Sequence, residues 1–590
     1  MRVFIGSGCA APKALISALA ARGGEVYDVE VCHYLGFADA PYASRDLLDR
    51  FRHNALYIGR NVRPAVNEGV ADYTPVNLSE TTVLFRRKPF DIALIQTGKP
   101  DADGWCSLGV SVDIVAAAVM CSGRVIAEIN PRMPRVCGKA RVHVSRLFAM
   151  IHNEAPLIEF PLPEITPEAL KIGELVASLI EDGATLRVGM GDIPGAVLSA
   201  LKDKKNLGFH GEVVCGAMLP LIQTDVFNGS QKTILPGKIV TSTCLGGETL
   251  YQTIHENPLF EFRPAGFVCD PMVIAKNRRM VSVGSAIEVD LTGQVCGESV
   301  GGKFYSGFGA QLDFLRGAAR SEGGKPIIAL RSTTANERVS RIAAQLRAGT
   351  GVMATRADVH YVVTEHGIAS LHGKSVRERA LALISIAHPK FREELMSQAR
   401  ELKWVHPHQI SMPRDIQPYP SEYETLKRFR HKNIFFRPIL PTDESLLKEL
   451  FYSHSKRTIL NRFFTPLRRL TPDLVQRFVT LDYQNDMAIV GLAKCDGRER
   501  MVCVGRYFRD RATNDAEVAF TVHDKFQGFG LGRFLMTALM RVAREHGISG
   551  FTADVRARNT PMLRLFRGSA TTVETRKEKG FYHLRFSLNQ

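Results

Sequence analysis

No stretch of this 590-residue chain runs to about eighteen apolar residues, and none sets a basic segment before a short apolar one. Those absences exclude a membrane-spanning helix and a secretory leader from the expectation, and predict a cytoplasmic protein with no membrane partner. The 11 cysteines are odd in number and scattered, with no Cys-x-x-Cys pair and no histidine spacing to match. Reduced thiols and no metal are expected, rather than a disulfide framework or a zinc site. Runs of five to eight lysines and arginines are missing, as are basic motifs interleaved with aromatics, so nucleic acid is not an expected partner.

What is present is length, charge asymmetry and repetition. A chain this long exceeds one hydrophobic core, so several domains are expected. The net charge is +16, and from His431 to Gln590 there are 27 Lys and Arg against 16 Asp and Glu, so +11 falls in the last 160 residues. That shift marks a separate domain with an anionic cofactor or an acidic partner. Between the two regions, VHPHQISMPRDIQPYPSEY (Val405 to Tyr423) has four prolines and no apolar periodicity, as a linker would. Ahead of it, strand-like runs (LRVGM, KPIIAL, VHYVV) alternate with helix-like ones, which predicts α/β architecture with parallel sheets.

Two stretches read almost alike: GSGCAAPKALISAL from Gly6 and GMGDIPGAVLSAL from Gly189. Each follows a β-branched run, turns through Gly-x-Gly and enters a helical pattern. Such a turn lets backbone amides approach an anion at a helix N-terminus, although strand-helix packing alone would also use it. A full dinucleotide fingerprint is not met, because Ala11 and Pro194 occupy the third glycine position. A nicotinamide enzyme is disfavoured. A lone carboxylate, Glu212, lies in LGFHGEVVCGAMLPL, and a further glycine turn opens YSGFGAQLDFLRGAA at Tyr305. A carboxylate beside such turns is either an acyl-accepting nucleophile or an ordinary solvated or salt-bridged side chain.

Residues 1 to about 400 resemble the acetyl-CoA hydrolase/transferase family, in its 4-hydroxybutyrate CoA-transferase-like branch, through ADYTPVNLSE, DIALIQTGKPDADGWCSLGVSVD, GMGDIPGAVLSALKDKKNLG, SAIEVDLTGQV, SGFGAQLDFLRGAA and VVTEHGIASLHGKSVRERA. The resemblance implies two tandem open α/β domains, 1–165 and 166–405, facing across a cleft. It implies CoA transfer between small carboxylic acids through a glutamyl-CoA thioester on Glu212, with Gly189, Gly191, Gly307 and Gly309 contacting CoA or tetrahedral oxyanions. Acetyl-CoA hydrolysis would use the same glutamate. Relatives usually carry His-Thr-Glu and then Ser-Asp-Gly, where this chain has His210-Gly211-Glu212 and Cys215-Gly216-Ala217. Glu128, Glu261, Glu288 and Glu365 are secondary carboxylates in other matching segments, and Gln96 and Asn130 are either ligand contacts or packing groups.

After a linker at 406–432, residues 433–590 resemble the GNAT acetyltransferases, in particular the domain of bacterial protein lysine acetyltransferases. In DAEVAFTVHDKFQGFGLGRFLMTALM an alternating strand leads through Gln527-x-x-Gly530-x-Gly532 into an amphipathic helix. Consecutive amides at that helix start suit a pyrophosphate. The resemblance implies an α+β domain binding acetyl-CoA through Gln527, Gly528, Gly530, Gly532 and Asn559. It also implies Glu517 as general base toward an amine or a protein lysine; a non-catalytic acyl-CoA sensor is the alternative. Coenzyme A is thus the shared substrate of both regions, and a homo-oligomer is expected.

Overall fold

The strands that precede the two like turns stand at corresponding places in two sheets. In the computed structural model of the chain, residues 1–407, 409–411, 419–495, 498–569 and 573–588 are described. Parts of the expected linker, residues 408 and 412–418, therefore lie outside the described residues. Two compact units form, Met1–Lys374 and Ser375–Gln590.

The first unit holds both α/β sheets. Seven parallel strands build one, with Arg2–Ile5 between Val29–His33 and Phe90–Thr97. Eight strands build the other, with Thr185–Val188 between Gly208–His210 and Met280–Ser285; all pairs are parallel except the edge pair Tyr361–Thr364 with Gly367–Ser370. Central strands buried on both faces carry small or apolar side chains at successive positions, as in VFI of the first and, with the small Ser282 among them, in Met280 to Gly284 of the second. In each sheet the chain order reverses beside the first strand. Its glycine turn, Gly6 to Gly8 or Gly189 to Gly191, thus leaves the carboxyl end at a topological switch point, where ligands of open α/β sheets bind.

Local signals set the helices that cover these sheets. Thr166 caps Pro167–Ser178 by accepting from the Ala169 amide at 3.3 Å, and the helix presses Ile172, Gly173 and Val176 onto Asp192–Ser199. The contact is so close that a β-carbon on Gly173 would fall 2.6 Å from the Ala196 carbonyl carbon.

The second unit opens with two helices. Ser375 and Glu378 form a reciprocal capping box at the start of Val376–Ser385, and Pro389–Glu401 follows. Thr425–Phe429 is already the edge strand of an eight-stranded sheet, which is antiparallel apart from the pair Asp515–Val522 with Gly550–Arg556. That parallel pair is matched only over Asp515 to Glu517, opposite Gly550 to Thr552, and the strands then part. One face of the sheet packs on the amphipathic helix Leu531–Glu545, which buries Leu535, Leu539 and Val542. The other packs on Glu444–Tyr452 and Pro472–Val479. The architecture is the expected one, two parallel-sheet α/β domains and a C-terminal α+β domain. Among the described residues no helix is long and apolar enough to cross a membrane.

Candidate active sites in the two units

Glu212 stands between the short strands Gly208–His210 and Val213–Cys215, its carbonyl fixed by the amides of Ser242 at 3.3 Å and Thr243 at 2.9 Å. The side chain enters a cleft of about 200 Å³. The two like turns converge there: Gly8 from the first sheet and Gly189 from the second both line it, together with Gly307 and Gly309. Gly191 does not line the cleft; it holds φ +123° at the head of the helix Asp192–Ser199.

The partner of Glu212 is Arg187, on the strand that feeds the second turn. Its Nε donates to Glu212 Oε2 at 2.9 Å, Nη2 donates to Oε1, and Nη1 donates to the Val283 carbonyl at 2.8 Å. Side-chain exposure is 7% for Arg187 and 13% for Glu212, so solvent screens the pair little. Burial, the largest single influence, lowers the pKa of the guanidinium, but the charge and hydrogen bonds of the glutamate, with smaller help from Cys269 and Tyr34, leave it raised. Gly211 makes room for this arrangement. A β-carbon there would meet the Phe209 ring at 2.8 Å and Arg187 Cγ at 3.3 Å.

Three more groups on the cleft wall escaped the sequence reading. Burial raises the phenols of Tyr34 and Tyr57, keeping them protonated. Asp113 is also pushed up by burial, although the Ile114 and Val115 amides, Thr243 and Ser7 donate to it. It thereby ties the first glycine turn to the segment behind Glu212. The secondary carboxylates lie elsewhere. Glu128 accepts from the Ala14 amide at 3.1 Å, at the first helix N-terminus, and from Asn153 at 2.7 Å. Gln96 donates to the Ala11 carbonyl and accepts from Asn130. Glu261 pairs with Arg263, Glu288 faces Arg347, and Glu365 accepts from Ser332. None of these lines the cleft.

In the second unit, the parting of the two parallel strands opens a cleft of about 1110 Å³. Glu517, Gln527, Gly528, Gly530, Gly532 and Asn559 all line it. Gly530 heads the helix Leu531–Glu545 at φ +93°, a left-handed conformation that a side chain would strain. No acid occupies the first turn of that helix, and Arg533 stands there, so its positive end is left for an anion. Gln527 donates to Asp524 at 2.9 Å and so fastens the loop. Among the described residues no cluster of three or more His, Cys, Asp or Glu is placed to hold a metal.

Residues 1–160 match the acetyl-CoA hydrolase/transferase N-terminal domain, 246–399 the corresponding C-terminal domain, and 448–569 the acetyltransferase (GNAT) family. The 4-hydroxybutyrate coenzyme A transferase of Clostridium kluyveri is 45% identical over 402 residues, 68% of this chain and 94% of that protein. An acetyltransferase of Pseudomonas aeruginosa is 33% identical over 124 residues, 21% of this chain and 66% of that one. Among solved structures, RipA from Yersinia pestis is 34% identical with a TM-score of 0.66, covering 68% of this chain and 94% of its own.

Proposed function

Because the chain belongs to the acetyl-CoA hydrolase/transferase family and ends in a GNAT domain, an enzyme of acyl-CoA transfer, we propose that its first unit moves CoA between small carboxylic acids, acetate and 4-hydroxybutyrate-like acids among them, through Glu212. The observation that carries this reading is the convergence of both switch-point turns on one half-buried glutamate. A Glu212 oxygen attacks the thioester carbonyl carbon, the C–S bond breaks and CoA leaves as the thiolate, giving an acyl-glutamyl anhydride. The thiolate then attacks the glutamyl carbonyl, the first acid leaves as its carboxylate, and a glutamyl-CoA thioester remains. A second carboxylate runs the steps backward. Each time Glu212 becomes acylated its charge is lost, and Arg187 is free to hold the departing or arriving carboxylate instead. Amides of Gly189, Gly307 and Gly309 are the groups we assign to the tetrahedral oxyanions.

The second unit, on the same reading, is an N-acetyltransferase. The pyrophosphate of acetyl-CoA lies on the amides from Gly528 to Gly532, with Gln527 and Asn559 shaping the loop and the neighbouring helix start. Glu517 takes a proton from the amine, whose nitrogen forms the C–N bond as the C–S bond breaks and CoA departs. A protein lysine is one acceptor this chemistry suits. The test is exchange of labelled 4-hydroxybutyrate into acetyl-CoA. Ping-pong kinetics with exchange lost in Glu212→Gln support the assignment. Release of free acetate with no dependence on a second acid would make the first unit a hydrolase.

A further inference from the structure

Two arginines in the second unit make no salt bridge among the described residues, and only one of them, Arg462, has a carboxylate, Glu517, near enough to act on it. Arg506, on the strand Arg498–Arg509, is 3% exposed; its Nη1 donates to the Phe478 carbonyl at 3.2 Å and its guanidinium stacks 4.2 Å from the Phe478 ring. Arg462, on the helix Lys456–Phe463, lies 5.1 Å over the Phe463 ring and makes no hydrogen bond or salt bridge among the described residues. Both line a cavity of about 30 Å³ between the sheet and its covering helices. His454 lines it too, with both ring nitrogens shut from solvent and without a hydrogen-bond partner, and Thr521 closes the strand side.

These groups are placed on one layer by strand periodicity. Val518 and Phe520 point into the core under Leu531–Glu545, so Glu517, Ala519 and Thr521 face the other way, toward Lys456–Phe463; Arg506 is paired opposite Ala519. Arg462 and Thr521 also line the large cleft that holds Glu517. The small cavity is therefore a side chamber of the acyl-transfer cleft. Burial lowers the pKa of Arg462 to about 10 and that of Arg506 to about 9, and the neighbouring arginine adds to the second effect. A guanidinium does not give up its proton at neutral pH, so the depression marks cations held without full compensation: Glu517 opposes it only in part at Arg462, and no carboxylate opposes it at Arg506. A buried cation such as Arg506, beside a second arginine and an unpartnered imidazole, costs stability unless an anion joins it, whereas Arg462 is half-buried at the mouth toward the large cleft.

We propose that this chamber is a carboxylate seat: Arg462 and Arg506 receive a carboxylate borne by one of the two substrates of the acyl transfer at Glu517, either the tail of a dicarboxylic acyl group or the carboxyl of an amino-acid acceptor. The chamber is small, about 30 Å³, and is reached from the large cleft past Arg462 and Thr521, so only the end of a substrate could enter it. The inference rests on the reading of the Glu517 cleft as an acyl-transfer site.

The experiment uses the full chain carrying Glu212→Gln, so that no CoA exchange intervenes. Equilibrium binding compares succinyl-CoA with butyryl-CoA and, in the presence of CoA, free lysine with cadaverine and alanine with ethylamine. One of these contrasts should favour the carboxylate by at least tenfold and lose that preference in Arg506→Met. The donor contrast would place the carboxylate on the acyl tail, and the acceptor contrast on the amine. Because Arg187 in the first unit could itself favour succinyl-CoA once Glu212 is neutral, the preference counted is the part that Arg506→Met removes; no such Arg506-dependent preference in any contrast overturns the seat. Melting of Arg506→Met checks the fold; since it removes an unpaired buried charge, its Tm should not fall, and Arg462→Gln repeats the comparison if it does. N-acyl product is measured alongside. A binding preference without product would count against the Glu517 reading and leave the seat standing.

Discussion

The two units hold their candidate carboxylates in opposite ways. Glu212 is locked to a buried arginine by two hydrogen bonds, in a cleft of about 200 Å³, whereas Glu517 opens on about 1110 Å³ and faces an arginine it does not pair with. The difference follows from the chemistry proposed for each. A nucleophile that becomes an anhydride and then a thioester must be held in one attack geometry and shielded from water, and a fixed counter-ion serves both. A base that only takes a proton needs reach, and room for an acceptor of some size.

The sharpest way to break this contrast is to remove each carboxylate in turn. Glu212→Ala should abolish CoA exchange between acids, a loss beyond about a thousandfold, while N-acylation by the second unit persists. Stranding buried Arg187 should also cost about 3–5 kcal/mol, read as a lower unfolding midpoint for the first unit. Glu517→Gln should do the converse, slowing N-acylation by about 10²- to 10⁴-fold at neutral pH with exchange unchanged.

Loosening the lock comes next. In Arg187→Gln the glutamate keeps a hydrogen-bonding neighbour but loses its fork, and exchange should slow by about tenfold to a hundredfold in kcat rather than KM.

A titration distinguishes the interior of the first unit further. Asp313, on the helix after Gly309, has its pKa raised to about 7 by burial, against the opposing hydrogen bonds from Ser79. A carboxyl raised in the folded state contributes stability that is full below its unfolded pKa of about 4 and lost as pH rises through 7. Relative to Asp313→Asn, the wild type should therefore lose about 2–3 kcal/mol between pH 5 and pH 8, measured as the difference in their denaturation midpoints. The smallest effect is expected at Gly530→Ala, where strain at φ +93° should cost about 1 kcal/mol and weaken acetyl-CoA binding severalfold.

Much of this architecture was legible because it is local. Glycine turns after β-branched runs, the capping signals and the Gln527-to-Gly532 loop are written in contiguous residues, and the repeated turn announced two like sheets before either was seen. What was not legible depends on residues far apart in the chain. Arg187 lies 25 positions from Glu212, and only the pairing of their strands makes them partners. Its trace in the sequence is a lone charge in the otherwise apolar run LRVGM. Asp113, Tyr34 and Tyr57 leave even less, since each reaches the cleft from a loop whose path no periodicity records. Arg506 sits in a strand that otherwise alternates between two packed faces, and nothing near it in sequence tells that no carboxylate will meet it.

The central claim is that Glu212 carries CoA covalently. Peptide mass spectrometry after incubation with acetyl-CoA, wild type beside Glu212→Ala, tests it most directly. A CoA adduct on the peptide containing Glu212, absent from the variant, is the predicted result. Exchange that persists in the variant, with no adduct on the wild type, would contradict it.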